Sequence, residues 1–233
     1  MKKIYLFIFL LVVASAGNIS AQNKDIKFKN IVDSVSYIIG YDLGKNFKTQ
    51  GIEINSDILL AGILQGMTQA KQLITDQESE KVLAVYVAQI NEKKQAAQQD
   101  QISKTKQAGE AFLLANKKKA GVITTASGLQ YKVIREGTGA SPKLTDKVMV
   151  HYAGRLIDGT KFDASYDRGT PAEFPVNGVI QGWQEGLQLM KEGGKYELYI
   201  PSDLGYGDSG AGDKIPGGSV LIFEVELIKV IPQ

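Results

Sequence analysis

Three glycines, Gly205, Gly207 and Gly210, stand at the G-x-G-x-x-G spacing of a dinucleotide-binding loop, just after the strand-like run Lys195-Tyr196-Glu197-Leu198-Tyr199-Ile200. Such a loop holds a pyrophosphate because a helix N-terminus follows it and points backbone N–H groups at the phosphates. Here residues 211–219 follow, carrying Gly212, Pro216, Gly217 and Gly218, and they run straight into another strand-like segment. No crossover helix fits, and Asp208 and Asp213 would repel a phosphate. A lone match of this kind is a weak signal, and the dinucleotide reading is rejected. Nucleophilic catalysis fares no better. His151 is the only histidine; it sits in an alternating segment, where a structural or surface role is expected, and no G-x-S-x-G elbow accompanies it. One histidine with Asp203, Asp208 and Asp213, which lack calcium-loop spacing, makes no metal-ligand set. The absence of cysteine removes thiolate ligands, disulfides, a cysteine nucleophile and a lipid-modified N-terminal cysteine. No metal and no cofactor are expected.

The aromatics offer more. Tyr152, Phe162, Phe174, Trp183, Tyr199, Tyr206 and Phe223 gather in the C-terminal part of the chain. Core packing accounts for several of them. Tyr152, Trp183 and Phe223, however, fall on three separate elements, and Tyr206 lies between glycines in the loop just described. An aromatic in such a loop is more often the wall or lid of a site than part of the core.

The elements that must position these groups come in two kinds. Residues 25–120 contain no proline and read as helical; residues 121–233 hold all six prolines and most of the glycines. The first helix is predicted over residues 33–50, with Ile31, Val35, Ile38 and Ile39 near one face and Gly51 as its stop. Gly40 and Gly44 sit one turn apart at a cost of about 1 kcal/mol each relative to alanine, which the close approach of another backbone would offset. A second helix is predicted from Asn55–Ser56 to Ala70. The third opens on Thr75-x-x-Glu78, a capping-box pattern, and would extend about 65 Å at 1.5 Å per residue if continuous to Gly121. Its apolar stripe (Val82, Val85, Tyr86, Ile90) fades between Gln95 and Gln107, as in a solvated spacer. The first two helices are too small to bury much core alone, so two chains are expected to pair through them and the start of the third.

From Gly128 the period becomes two. Residues 129–133, 148–152, 196–200 and 221–227 alternate as half-buried antiparallel strands, and one short helix over roughly residues 179–190 interrupts them. The fold class is α+β: an all-helical N-terminal region, then a twisted antiparallel sheet wrapped on one short helix. At the other end of the chain, Lys2 and Lys3 precede an apolar run over residues 4–13 and small residues through Ala21, the order of a secretory signal peptide. The run is too short for a membrane span, which takes about 20 apolar residues. Cleavage fits after Ala16 or Ala21, the latter preferred. It removes two of 27 basic and none of 25 acidic residues, so the remaining chain is formally neutral and lacks the basic footprint that nucleic-acid binding requires. The expected organisation is a signal peptide over 1–21, a helical dimerisation domain over 22–74, a long linker helix over 75–120 and an α+β domain over 121–233. Export to the periplasm is expected; outer-membrane association and secretion fit the same leader.

Six motifs arrive in order in the last domain: Val150-His151-Tyr152-Ala153-Gly154, residues 158–163 (DGTKFD), residues 179–183 (VIQGW), Gly186-Leu187, residues 200–207 from Ile200-Pro201 to Gly205-Tyr206-Gly207, and residues 221–227 (LIFEVEL). The series resembles the FKBP family of peptidyl-prolyl cis/trans isomerases over about residues 121–232. The helical half, with residues 41–44 (YDLG) and 51–54 (GIEI), is similar to the dimerisation region of that family's bacterial macrophage-infectivity-potentiator branch. The resemblance implies an FKBP-like domain and a pocket made of Tyr152, Phe162, Asp163, Arg168, Val179, Ile180, Trp183, Tyr206, Ile215 and Phe223. It implies Trp183 as the floor under a proline ring, with Tyr152, Phe162 and Phe223 as walls. The Ile180 N–H and Tyr206 hydroxyl are implied to bond substrate carbonyls, and Asp163 and Arg168 to pair at the rim. It implies proline-containing unfolded or partly folded polypeptides and FKBP-type macrocyclic inhibitors as partners, and a homodimer through the N-terminal helices. Two positions depart from the family's pattern: Ala172 replaces an aromatic and opens one wall, and Lys214 adds a charge where an aliphatic side chain is usual.

Such an activity needs no nucleophile. An X–Pro bond turns slowly because amide resonance imposes a barrier of about 18–20 kcal/mol. Twisting it breaks the resonance and reduces charge separation, so an apolar aromatic pocket favours the twisted state over the planar one. The expected role is to accelerate proline isomerisation in exported proteins as they fold. The competing expectation is a non-catalytic dimeric periplasmic chaperone that clasps unfolded chains between paired helical arms.

Overall fold

The computed structural model describes residues 26–68 and 70–233; the expected signal peptide, residues 1–21, lies outside them. The described residues form two compact units, divided between Thr75 and Asp76.

The first unit consists of α1 (Ile31–Gln50) and α2 (Ser56–Met67). Both start on asparagine caps. Asn30 accepts from the N–H groups of Val32 and Asp33, and Asn55 from those of Asp57 and Ile58, which satisfies donors that a helix start leaves open. The first helix thus begins two residues earlier than Asp33. It ends as expected on Gly51, whose φ of 68° only glycine adopts without strain. The Gly51 and Ile52 N–H groups close back onto the carbonyls of Lys48 and Phe47. No residue of either helix is buried within the chain.

The second unit opens with α3 (Asp76–Asn116) and continues as a seven-stranded antiparallel sheet. In chain order the strands are β1 (Val122–Thr124), β2 (Gln130–Arg135), β3 (Lys147–Leu156), β4 (Lys161–Ala164), β5 (Ala172–Pro175), β6 (Lys195–Ile200) and β7 (Leu221–Ile231). They lie in the order β1-β2-β6-β7-β3-β4, with β5 also on β3. The long β3 serves two neighbours on that edge: Lys147–Val150 pairs with β5, and Ala153–Arg155 with β4. One short helix, α4 (Gln181–Leu189), packs on the inner face.

Alternation decides that face. Val148, Val150 and Tyr152 of β3, Tyr196, Leu198 and Ile200 of β6, and Leu221, Phe223, Val225 and Leu227 of β7 turn inward and form one core with Trp183, Leu187 and Met190. Two glycines bring α4 down onto it. A Cβ at Gly182 would lie 2.4 Å from Ile200 Cγ2, and one at Gly186 would lie 2.6 Å from Leu198 Cδ1. Both neighbours are fully buried, so neither can give way freely. Gly186→Val is therefore expected to destabilise this unit by about 1–3 kcal/mol, the usual cost of overpacking a filled core. Thermal melts of parent and variant check it; an unchanged Tm would mean that α4 has more room than these distances allow.

Candidate functional site

The inward face of β3 and β7 and the start of α4 converge on a cleft of about 700 Å³, within the range of small-ligand sites. Trp183, 4% exposed, stands at the base of its aromatic cluster. Three rings meet it edge-on: Phe223 at 5.1 Å, Tyr152 at 5.3 Å and Phe174 at 5.8 Å between centroids, with interplanar angles of 83–88°. Edge-to-face pairs at such distances are favoured arrangements of aromatic rings. Phe162 closes the other end against Phe223 at 5.3 Å and 79°.

The room for that contact comes from Gly154, paired opposite Phe223 across β3 and β7. A Cβ there would lie 2.4 Å from the Phe162 ring and 2.7 Å from the Phe223 ring.

One wall is polar. The Tyr152 hydroxyl donates to Asp163 Oδ2, and Arg168 donates from Nη2 to the Tyr152 oxygen and from Nη1 to Asp163 Oδ1, both at 2.8 Å. The Arg168 guanidinium also lies 5.7 Å from the Tyr152 ring centroid. Burial by itself would raise the Asp163 pKa, but the Tyr152 and Arg168 hydrogen bonds outweigh it and hold the carboxyl below the usual carboxylate range. Burial, and then the bond to Asp163, push the Tyr152 hydroxyl above the ordinary tyrosine value. Asp163 is ionised and Tyr152 protonated throughout the neutral range, so the closed triangle persists there.

The depressed Asp163 pKa sets a sign. Its contribution to stability is fully present above the unfolded-chain value of about 3.9 and is lost as pH falls through the folded value. Parent and Asp163→Asn are thus expected to differ in Tm at pH 7 and to converge in acid. A difference that persisted below both values would rule out the triangle as its source.

Nine of the ten residues expected at the site line this cleft: Tyr152, Phe162, Asp163, Val179, Ile180, Trp183, Tyr206, Ile215 and Phe223. Arg168 stands behind the wall, touching Asp163 and Tyr152 rather than the cavity. The cleft also takes in residues that sequence reasoning did not assign to it, namely Phe174, Gly178 and 211–213. Phe174 shares a face of β5 with Ala172, two residues away. Its ring packs on Trp183 and lines the cavity, and its place two residues from Ala172, a wall position by the resemblance, was the available signal. Lys214, noted for its charge, also lines the cleft, and its Nζ donates to the Phe162 carbonyl at 3.4 Å.

The α4 start carries an open donor. The Ile180 carbonyl accepts from Trp183 and Gln184, while its N–H donates to no acceptor among the described residues. The Trp183 indole N–H is likewise buried with no partner among them.

His151 does meet a serine, since its Nδ1 lies 3.0 Å from Ser165 Oγ. Ser165 is fully buried, however, and its oxygen accepts from the Tyr152 N–H at 2.8 Å. The histidine stacks on Tyr166 at 4.7 Å. The pair is a strand-to-turn lock with no access for a substrate. In the 205–212 loop, a 3-10 turn over Gly207–Ser209 takes the place of the helix that a pyrophosphate would need.

Residues 139–228 match the family described as FKBP-type peptidyl-prolyl cis-trans isomerase, and residues 32–133 match the domain amino terminal to FKBP-type peptidyl-prolyl isomerase. The FKBP-type peptidyl-prolyl cis-trans isomerase FkpA of Aeromonas hydrophila is 45% identical over 217 residues, 90% of this chain and 80% of the relative. The outer membrane protein MIP of Legionella longbeachae is 46% identical over 198 residues, 85% of each chain. Among solved structures, FkpA from Escherichia coli is similar with a TM-score of 0.75 at 38% identity, over 88% of this chain and 99% of that one.

Proposed function

The chain belongs to the FKBP-type peptidyl-prolyl cis-trans isomerases and is an enzyme of that activity, and we propose that the cleft floored by Trp183 is where it turns the X–Pro bond. The observation that carries this reading is the apolar enclosure itself: three rings packed edge-on against Trp183, Phe162 against Phe223 beyond them, and the unsatisfied Ile180 N–H on the cleft wall. The proline ring packs on Trp183 between Tyr152, Phe162 and Phe223, and Val179 and Ile215 complete the apolar lining. The Ile180 N–H holds one substrate carbonyl, and Tyr206 from the opposite loop bonds another. With the carbonyls held, the remaining freedom is rotation about the C–N bond. The planar amide carries the larger charge separation and gains least from this lining, so the twisted form is stabilised relative to it. Asp163 and Arg168 hold the Tyr152 wall in place.

A proline tetrapeptide, its exchange followed by NMR with and without an FKBP-type macrocyclic inhibitor, tests the assignment. Acceleration abolished by the inhibitor is expected; acceleration insensitive to it would move the site elsewhere.

The biological setting follows from the leader-like residues 1–21 and from the first unit. The exported enzyme, periplasmic in this reading, acts on proline-containing chains as they fold. Two copies pair through α1, α2 and the start of α3. This is supported by Ile31, Ile38 and Ile39, each more than half exposed in the single chain, and by the open space around Gly40, Gly44, Gly62 and Gly66. No helix among the described residues is long and apolar enough to cross a membrane. The same apolar surface favours the second reading, a chaperone whose helical unit clasps unfolded chains. Suppression of aggregation by the full chain with the inhibitor bound separates that activity from isomerisation.

A further inference from the structure

The loop between β6 and β7, residues 201–220, carries Tyr206 and the 211–215 wall of the cleft, and its other side rests on the second half of α3. Ile102, Lys106, Gly109, Leu113 and Asn116 recur at three- and four-residue steps, which places them on one helical face. Ile102 is 8% exposed. The backbones approach closely enough to need glycine on both sides. A Cβ on Gly109 would lie 2.7 Å from Val220 Cγ2, and one on Gly218 would lie 2.8 Å from Lys106 Cγ and 3.0 Å from the Ile102 carbonyl oxygen. The helix end is fixed to the sheet: Asn116 donates to Gln130, and Gln130 donates to the Leu113 carbonyl, each at 3.0 Å.

Two links lead from this seat to Tyr206. Lys106 Nζ pairs with Asp208 Oδ1 at 2.5 Å, and the Gly218 N–H donates to the Gly207 carbonyl at 2.8 Å. Gly207 and Asp208 are the two residues that follow Tyr206. Both partners of the ion pair are substantially exposed, 36% for Lys106 and 55% for Asp208, and an exposed pair contributes little to stability. Its effect is on where the loop stands.

We propose that the second half of α3 positions the active-site loop, with Lys106 and Ile102 acting through Asp208 and Gly217–Gly218 to hold Tyr206 over the bound peptide. This rests on the reading of the Trp183 cleft as the isomerase site. Lys106 and Ile102 are then positioning residues: removing either leaves the cleft floor intact and loosens its lid.

The test uses the full chain and a proline tetrapeptide. Lys106→Ala is expected to lower kcat/KM about 2–5-fold, mainly through KM, with Lys106→Arg restoring it. Ile102→Ala is expected to lower it about 5–20-fold. Raising NaCl from 0.05 to 1 M, a change of the kind that screens exposed pairs, should weaken the parent and leave Lys106→Ala unmoved, a response a purely structural lysine would not give. Parental kcat/KM in Lys106→Ala, with unaltered salt dependence, overturns the proposal even if Ile102→Ala fails to fold. Tyr206→Phe separates the two readings. If it lowers kcat/KM while the α3 variants do not, the cleft stands and the seat falls; if Tyr206→Phe and Phe162→Ala both keep parental turnover, the cleft reading fails and takes the proposal with it.

Discussion

Phe162→Ala is expected to lower kcat/KM for a proline tetrapeptide by about 10–100-fold. Phe162 forms the wall against Phe223, and a phenyl group fully withdrawn from water is worth about 1.5–3 kcal/mol. Each 1.4 kcal/mol is a factor of ten in rate. The division between constants carries information: loss in KM alone would mean that the ring holds planar and twisted amides equally, while loss in kcat means that it favours the twisted one. Asp163→Ala should lower kcat/KM similarly by another route, since Tyr152 and Arg168 both lose their acceptor and a buried hydroxyl and a guanidinium are left underpaired. Neither change touches α1 or α2, so far-UV ellipticity should hold. Equal turnover in both variants and parent would mean that the reaction occurs outside this cleft.

Ile38→Asp is expected to convert a dimer into a monomer. Ile38 is 56% exposed in the single chain and shares a helix with Ile31, Ile39 and the open glycines Gly40 and Gly44. In a two-fold pair the change occurs twice in one interface. Each copy loses the burial of an isoleucine, about 1.5–3 kcal/mol, and introduces a carboxylate that must be desolvated. A total of at least about 4 kcal/mol weakens Kd about a thousandfold. Light scattering at micromolar concentration should give twice the single-chain mass for the parent and the single-chain mass for the variant, with tetrapeptide turnover retained. A parent that already scatters as a monomer defeats the pairing.

What was legible in the sequence depended on how far each pattern ran. β3, β6 and β7 alternate over enough residues for the period to declare itself, and their inward residues are the cleft's base and walls. β1, β4 and β5 are three or four residues long, too short for alternation to be distinguished from chance. The α3 seat was hidden for another reason. Residues 95–107 are mostly polar, as a solvated spacer would be, and the closest contact beyond them is made by Gly109, which has no side chain to read. Arg168 shows the limit of motif matching: its position identified a partner of Asp163, while only the fold shows that it stands behind the wall. Phe174 lies on one of these short strands, and only its packing on Trp183 shows that it belongs to the cavity.

Trp183 is the sole tryptophan of the chain, and it stands at the base of the cleft with Tyr152, Phe174 and Phe223 packed against it. Its emission therefore reports on one place. Excitation near 295 nm selects it, and its buried indole should emit towards the blue. A ligand that settles over it will alter intensity and wavelength without any label. The protein thus contains its own optical probe of occupancy, one that can time peptide arrival separately from the bond rotation that follows.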